Sequence, residues 1–233
     1  LANTIGVQTS GNRAFFSDWA KNDNRNLEVL QNWLASEVNN GCSISIEETA
    51  LAGRKIFVYA GNMGVAQGMG ALMDLAYEFR FQNNVGFILV GRGSDLNDLK
   101  NLCEQRELTN ILFFDEIEPD EIPGLYAQCD VGLLALDHKH KTHNIPGKFL
   151  SYMRAGLPVL ASVNKNNDII RLIHDNKVGR SCSSPLVSDL KEGAEWLLGD
   201  LDTNNGYGAR CIDLYQNLFT PAIAVKSIVN SLD

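Results

Sequence analysis

Three short segments of the chain carry residue types that could hold an anionic ligand. Gly61-Asn62-Met63-Gly64 follows an apolar run and precedes a helical pattern that begins near Gln67-Gly68. Two glycines let the backbone come close to a ligand and take positive φ. The free amides of the following helix, with its dipole, favour an anion such as a phosphate. A tight strand-to-helix turn accounts for the same residues equally well. Gly91-Arg92-Gly93 repeats the theme after the next apolar run, with Arg92 either a ligand contact or a solvated surface cation. Neither loop is a Walker loop, and both lack the third glycine of the dinucleotide fingerprint.

The third segment runs from His138 to Lys148 and holds three of the four histidines and three lysines. His138, His140 and His143 raise the question of a metal. No Cys or well-spaced carboxylate completes a ligand set, and the neighbouring lysines repel a cation, so no metal is expected. A basic loop over an anionic ligand fits better in a chain where positive charge is scarce. A solvated loop is the alternative. Pro146-Gly147-Lys148 opens a helix, with proline suited to its first turn. A cation at a helix N-terminus is unfavourable unless an anion is bound there.

The elements that must position these loops alternate regularly. Lys55–Ala60, Val85–Val90, Ile111–Phe114, Val131–Leu136 and Leu157–Ala161 read as buried strands, and Val178–Ser181 as a short edge strand. Between them lie amphipathic patterns over Gln67–Phe81, Leu96–Leu102 (with Ser94 expected to cap), Asp120–Cys129, Pro146–Ala155 and Asp168–His174. Such alternation predicts a parallel sheet with right-handed crossovers and helices on both faces. Ligands then bind at the carboxyl ends of the strands, where all three segments fall. Before this block, residues 1–34 read as a short strand, a polar helix (Ser10–Asn24) and a second apolar run. Residues 35–54 are polar and aperiodic and read as a linker. From Leu186 onward the tail reads as helical, with Pro221 opening a last helix over Ala222–Leu232.

Composition narrows the function classes. The 233 residues are 45% hydrophobic, which is a folded composition rather than a disordered one. A net charge of −8 argues against a nucleic-acid partner. No apolar stretch is long enough to span a bilayer, and no leader pattern is expected at Leu1. Cys42, Cys103, Cys129, Cys182 and Cys211 are scattered without a CxxC pair, which suits free thiols in a reducing compartment.

Taken in order, VYAGNMGVAQGMGALMDLA, ILVGRGSDLNDLK, ILFFDEI, DVGLLAL and IPGKFLSYMRAGLPVLAS resemble the nucleotide-sugar-binding domain of family-4 retaining glycosyltransferases with the GT-B fold. The likeness is continuous from about Lys55 to Cys182. It implies an α/β, Rossmann-like doubly wound parallel sheet, one GT-B half, with a helical C-terminal tail. It further implies a donor domain over 55–217, a remnant of the N-terminal acceptor-side domain over 1–34, a linker over 35–54 and a closing helix over 218–233. On this reading the chain is a C-terminal fragment that binds a nucleotide sugar and is inactive alone.

The resemblance implies no cofactor. The substrate would be a nucleotide sugar, with a UDP-sugar expected, and the enzyme would transfer a hexose-type sugar with retention. Donor contacts carry over to Gly61, Asn62, Met63, Gly64, Gln67, Gly91, Arg92, Glu116, Ile117, His143, Asn144, Ile145, Pro146, Gly147, Lys148 and Ser151, and no catalytic residue is assigned. The base would stack near Glu116-Ile117. The family commonly has Arg and Lys where this chain has Asn62 and Gln67, and glutamates where it has His143 and Ser151. At Ser151 a charge-assisted bond to the ribose of about 1.5–3 kcal/mol gives way to a neutral one of about 1 kcal/mol. A subgroup with P-S-K-like segments resembles Pro146-Gly147-Lys148 more closely and often serves bacterial surface polysaccharides. The missing acceptor domain, and peripheral membrane association through it, are implied partners, with a cytoplasmic location at the inner membrane face. A nucleotide-sugar 2-epimerase, a nicotinamide-dependent enzyme and a non-enzymatic interaction module are the competing readings.

Overall fold

The computed structural model describes residues 3–22, 25–37, 39–137, 144–203 and 206–231. It opens with β1 (Thr4–Val7), α1 (Ser10–Phe15), α2 (Ser17–Asn22) and β2 (Asn26–Val29), the two strands pairing in parallel as a sheet of their own. The main block follows as β3 (Lys55–Ala60), α3 (Gly70–Glu78), β4 (Val85–Val90), α4 (Leu96–Gln105), β5 (Ile111–Phe114), α5 (Ile122–Tyr126), β6 (Val131–Ala135), α6 (Gly147–Arg154), β7 (Val159–Ser162), α7 (Ile169–Asn176) and β8 (Gly179–Cys182). Three helices close the chain: α8 (Val187–Leu201), α9 (Tyr207–Leu218) and α10 (Pro221–Asn230). Among the described residues, no helix is long and apolar enough to cross a membrane.

The six main strands pair in parallel in the order β5-β4-β3-β6-β7-β8. This is the doubly wound arrangement expected from the alternation, and the order reverses between β3 and β6. Strand β4 is buried at every residue, as a central parallel strand covered on both faces must be. Successive residues of β3 serve opposite layers. Ile56, Val58 and Ala60 join the core under α5, α6, α7 and α9, whereas Phe57 and Tyr59 join the core under α3, α4 and α8. In the second layer Phe57 stacks on Phe87 at 5.3 Å between centroids, and Phe79 meets Phe87 edge-on at 6.1 Å.

The pairing of β3 is uneven. With β4 the ladder runs over six residue pairs, whereas with β6 it covers two, Phe57↔Val131 and Val58↔Gly132. Beyond those pairs the strands part, and their carbonyls need another donor. The buried Tyr152 hydroxyl lies 3.1 Å from both the Val58 and Leu133 carbonyls, so α6 supplies that donor. Its ring lies on Gly132, where a Cβ would come within 2.6 Å of the ring. Tyr126 packs against the same ring at 4.9 Å.

The first segment docks onto the main block through hydrogen bonds as well as packing. Leu34 N–H donates to the Phe219 carbonyl at 2.9 Å, and the Tyr215 hydroxyl to the Leu34 carbonyl at 2.8 Å. Gly11 N–H donates to the Asp168 carboxylate at 2.8 Å.

Two sequence expectations need correction. The second half of the 35–54 stretch is not loose, because Ile44, Ile46 and Leu51 are buried in the core and Gln128 bonds the backbone of Ile44 and Ile46. A short polar segment with three well-placed apolar residues shows no period, so its packing was invisible to periodicity. Ser94 does not cap α4: its hydroxyl donates to the Asp95 carboxylate, and Asp95 occupies the cap position.

Replacing Tyr152 with Phe should remove the one O–H donor that the Val58 and Leu133 carbonyls share. A loss of about 1–3 kcal/mol in urea unfolding is expected. Gly132→Ala should cost about 1–3 kcal/mol by driving a methyl into the Tyr152 ring, read as a lower melting temperature.

Candidate functional site

The carboxyl ends of β3 and β4 are locked together by backbone. Gly61 N–H donates to the Val90 carbonyl at 2.8 Å, Met63 N–H to Arg92 at 2.7 Å and Asp95 N–H to Met63 at 3.0 Å. Gly61, Gly91 and Gly93 have φ of 134°, 138° and 155°, in the region that favours glycine. A Cβ on Gly91 would collide with the Gly61 carbonyl, and one on Gly93 with the Met63 carbonyl. The two glycine loops therefore form one double-layered rim in which backbone fills the space a side chain would need at Gly91 and Gly93.

Lys148, in the first turn of α6, crosses onto this rim. Its Cε lies 2.7 Å from where a Cβ of Gly61 would be, and its ammonium sits 4.6 Å from the centroid of the Tyr59 ring. Beneath it, the Tyr59 hydroxyl donates to the Asn62 carbonyl at 2.5 Å. No carboxylate pairs with Lys148 among the described residues. Partial burial pulls its pKa below the usual lysine range. The same desolvation pushes the Tyr59 phenol well above its ordinary value, so it remains a neutral donor. A half-buried cation without a counter-ion, placed at the positive end of a helix, is electrostatically unfavourable until an anion arrives.

The rest of the first loop is neutral and satisfied internally. The Gln67 side-chain oxygen accepts from Asn62 Nδ2 and from the Gly64 amide, each at 3.1 Å. Gly68, in left-handed conformation at φ 58°, presses the loop against Asp137 after β6, whose amide donates to Ala66 at 3.1 Å. Arg92 and Glu116 meet across the ends of β4 and β5 through a 3.1 Å contact between two exposed side chains. Such a pair contributes little stability, so both groups are available to a ligand at small cost.

Gly61, Asn62, Gly64, Gln67, Gly91 and Lys148 are thus gathered at the switch between β3 and β6, with Arg92 and Glu116 at the adjoining strand ends. Ile117 is half-buried and packs against the core, while Asn144 and Gly147 are exposed beside Pro146, the N-cap of α6. Two expected contacts take a different role. The Met63 side chain is fully buried and its amide and carbonyl are both bonded within the rim, so it builds the loop and offers no group to a ligand. Ile145 is likewise 4% exposed and belongs to the core. Ser151 lies one turn beyond Lys148 and lines a cavity of about 220 Å³ between α5 and α6, with Pro123, Tyr126, Arg154 and Glu37. His143, with His138 and His140, lies outside the described residues. Among those described, no three His, Cys, Asp or Glu side chains gather as a metal site.

Tyr59 and Gly68 are site residues that pattern reading passed over. Tyr59 reads as one more aromatic of a buried strand, and only its position directly before Ala60-Gly61 hints at a second task. Gly68 reads as helix, since its left-handed conformation follows from the approach of a loop about seventy residues away.

The chain is 25% identical over 167 residues to the probable glycosyltransferase WbjE of Pseudomonas aeruginosa, a match covering 69% of this chain and 41% of WbjE. It therefore spans about two-fifths of that relative's length. Among solved structures, Anabaena HepE in complex with UDP-glucose superposes with a TM-score of 0.77 at 15% identity, over all of this chain and 64% of HepE. The pneumococcal O-GlcNAc transferase GtfA, solved with UDP and GlcNAc, gives 0.72 at 13% identity, over 98% of this chain and 44% of GtfA. These similarities establish the fold as the Rossmann-like half of a GT-B architecture with a helical C-terminal tail. The sequence profile of the glycosyl transferases group 1 family matches residues 54–200, which hold the glycine loops, Lys148 and all six strands of the main sheet, and the chain belongs to that family.

Proposed function

We propose that this chain is the donor-side half of a family-4 retaining glycosyltransferase, binding a UDP-sugar by its diphosphate at the β3/β6 switch. The observation that carries the reading is the Lys148 ammonium, without a carboxylate partner among the described residues and held over the Gly61 backbone. The neutral loop around Gly64 and the loosely paired Arg92 complete a positive, backbone-lined cradle. When the anomeric bond breaks, charge accumulates on the departing diphosphate. Preorganised donors at that point lower the barrier without an enzyme nucleophile on this domain. The sugar would be of hexose type and the product a surface polysaccharide or glycolipid, a reading supported by the names of relatives such as WbjE.

In this assignment residues 1–34 are the end of an acceptor-side domain, and α10 is the closing helix that returns to it. Exposed apolar side chains on both parts support it: Phe15 and Trp19 on α1 and α2, and Val225 and Val229 on α10. A complete acceptor domain would be needed for transfer. Any peripheral membrane contact, at the inner face from the cytoplasm, would come through that domain.

Calorimetric titration of the chain should register heat with UDP and UDP-sugars. Silence towards UDP-, GDP-, ADP- and CMP-sugars alike would overturn the reading. Lys148→Ala should weaken UDP binding about ten- to a hundredfold, the value of a charge-assisted hydrogen bond, and uridine binding far less. Equal losses for both ligands would remove the lysine from the phosphate site.

A further inference from the structure

We propose that Tyr59 is a positioning residue that presents Lys148 to the anion. The inference rests on the donor-binding reading above. A lysine side chain is flexible and strongly hydrated, and it loses much rotamer freedom when fixed at a site. Here it is fixed before any ligand arrives. Its Cε lies on the Gly61 backbone and its ammonium over the face of the Tyr59 ring, 4.6 Å from the centroid. The ring attracts the cation through its quadrupole while leaving its charge unneutralised, so an anion can still recruit it. A carboxylate in the same place would hold the lysine more tightly and compete with phosphate.

The hydroxyl of the same residue acts on the other wall of the cradle. It donates to the Asn62 carbonyl at 2.5 Å, and Asn62 Nδ2 in turn donates to the Gln67 oxygen that also receives the Gly64 amide. Tyr59 is 1% exposed and lies on a central strand, so its own position is fixed by the core. One rigid side chain therefore sets both the height of the lysine and the conformation of the glycine loop beside it. Neither task is required by core packing, for which a phenylalanine or leucine would serve.

The test compares wild type, Tyr59→Phe and Tyr59→Leu by calorimetry with UDP and with uridine, and by NMR of lysine labelled at the ε carbon. Lys148→Ala identifies the Lys148 resonance. In the wild type the Lys148 ε protons should be shifted upfield of the other lysines by the ring current. Tyr59→Phe should keep this shift, since the ring remains, while UDP affinity falls about fivefold through loss of the loop hydrogen bond. Tyr59→Leu should abolish the shift and weaken UDP more than about tenfold, with uridine affinity nearly unchanged in both variants. An ε resonance identical in wild type and Tyr59→Leu would overturn the proposal. UDP affinities that stay at the wild-type value in both variants while Lys148→Ala loses binding would do the same. If wild type takes up no UDP at all, the donor reading falls, and the Lys148 resonance still decides whether Tyr59 seats the lysine.

Discussion

Strands β3 and β6 stay paired for two residues and then separate, and the site depends on how that separation is stabilised. Carbonyls exposed by a parting ladder would be buried without partners, at a cost comparable to losing a hydrogen bond each. Tyr152 meets the cost from α6 by placing one hydroxyl between the Val58 and Leu133 carbonyls. The device needs Gly132, because no other residue leaves space for the ring on the sheet. It also anchors α6 so that its first turn, with Lys148, overhangs the end of β3. The helix that stabilises the opening thus delivers the charge into it.

A second constraint acts within the backbone. Gly61, Gly91 and Gly93 let the two neighbouring loops approach to the point where carbonyls occupy the space of side chains. The rim that results is rigid and chemically plain, made of amides and carbonyls. In a chain of net charge −8, the few cations near that rim then dominate its field. Arg92 is only loosely paired with Glu116 and Gln67 is neutral, so among the described residues at the rim Lys148 is the cation whose charge is uncompensated. Recognition of a diphosphate would accordingly rest on one well-placed ammonium, with the loosely paired Arg92 beside it. Such a design depends more on preorganisation than on the number of charges.

Most of the fold was legible because its signals are local. Buried parallel strands read as short β-branched and aromatic runs, and their helices as three- and four-residue repeats, so the order of elements from Lys55 to Cys182 follows from periodicity alone. The helical tail was legible for the same reason, though it is divided into three by the breaks after Leu201 and Leu218. The packing of Ile44, Ile46 and Leu51 was not, since three apolar residues in a polar stretch carry no period. The burial of Met63 was hidden as well: a loop residue's direction is set by the bonds its backbone makes with another loop.

By itself, the sequence determined that glycines, a proline and a lysine would stand at the ends of parallel strands, because residue type and spacing are properties of neighbouring positions. Tertiary structure decided the rest. It brought Lys148 across nearly ninety residues of chain onto Gly61, set it on Tyr59 and paired Arg92 with Glu116. Those contacts follow from strand order and from the splay between β3 and β6, which arise only when the whole sheet is assembled.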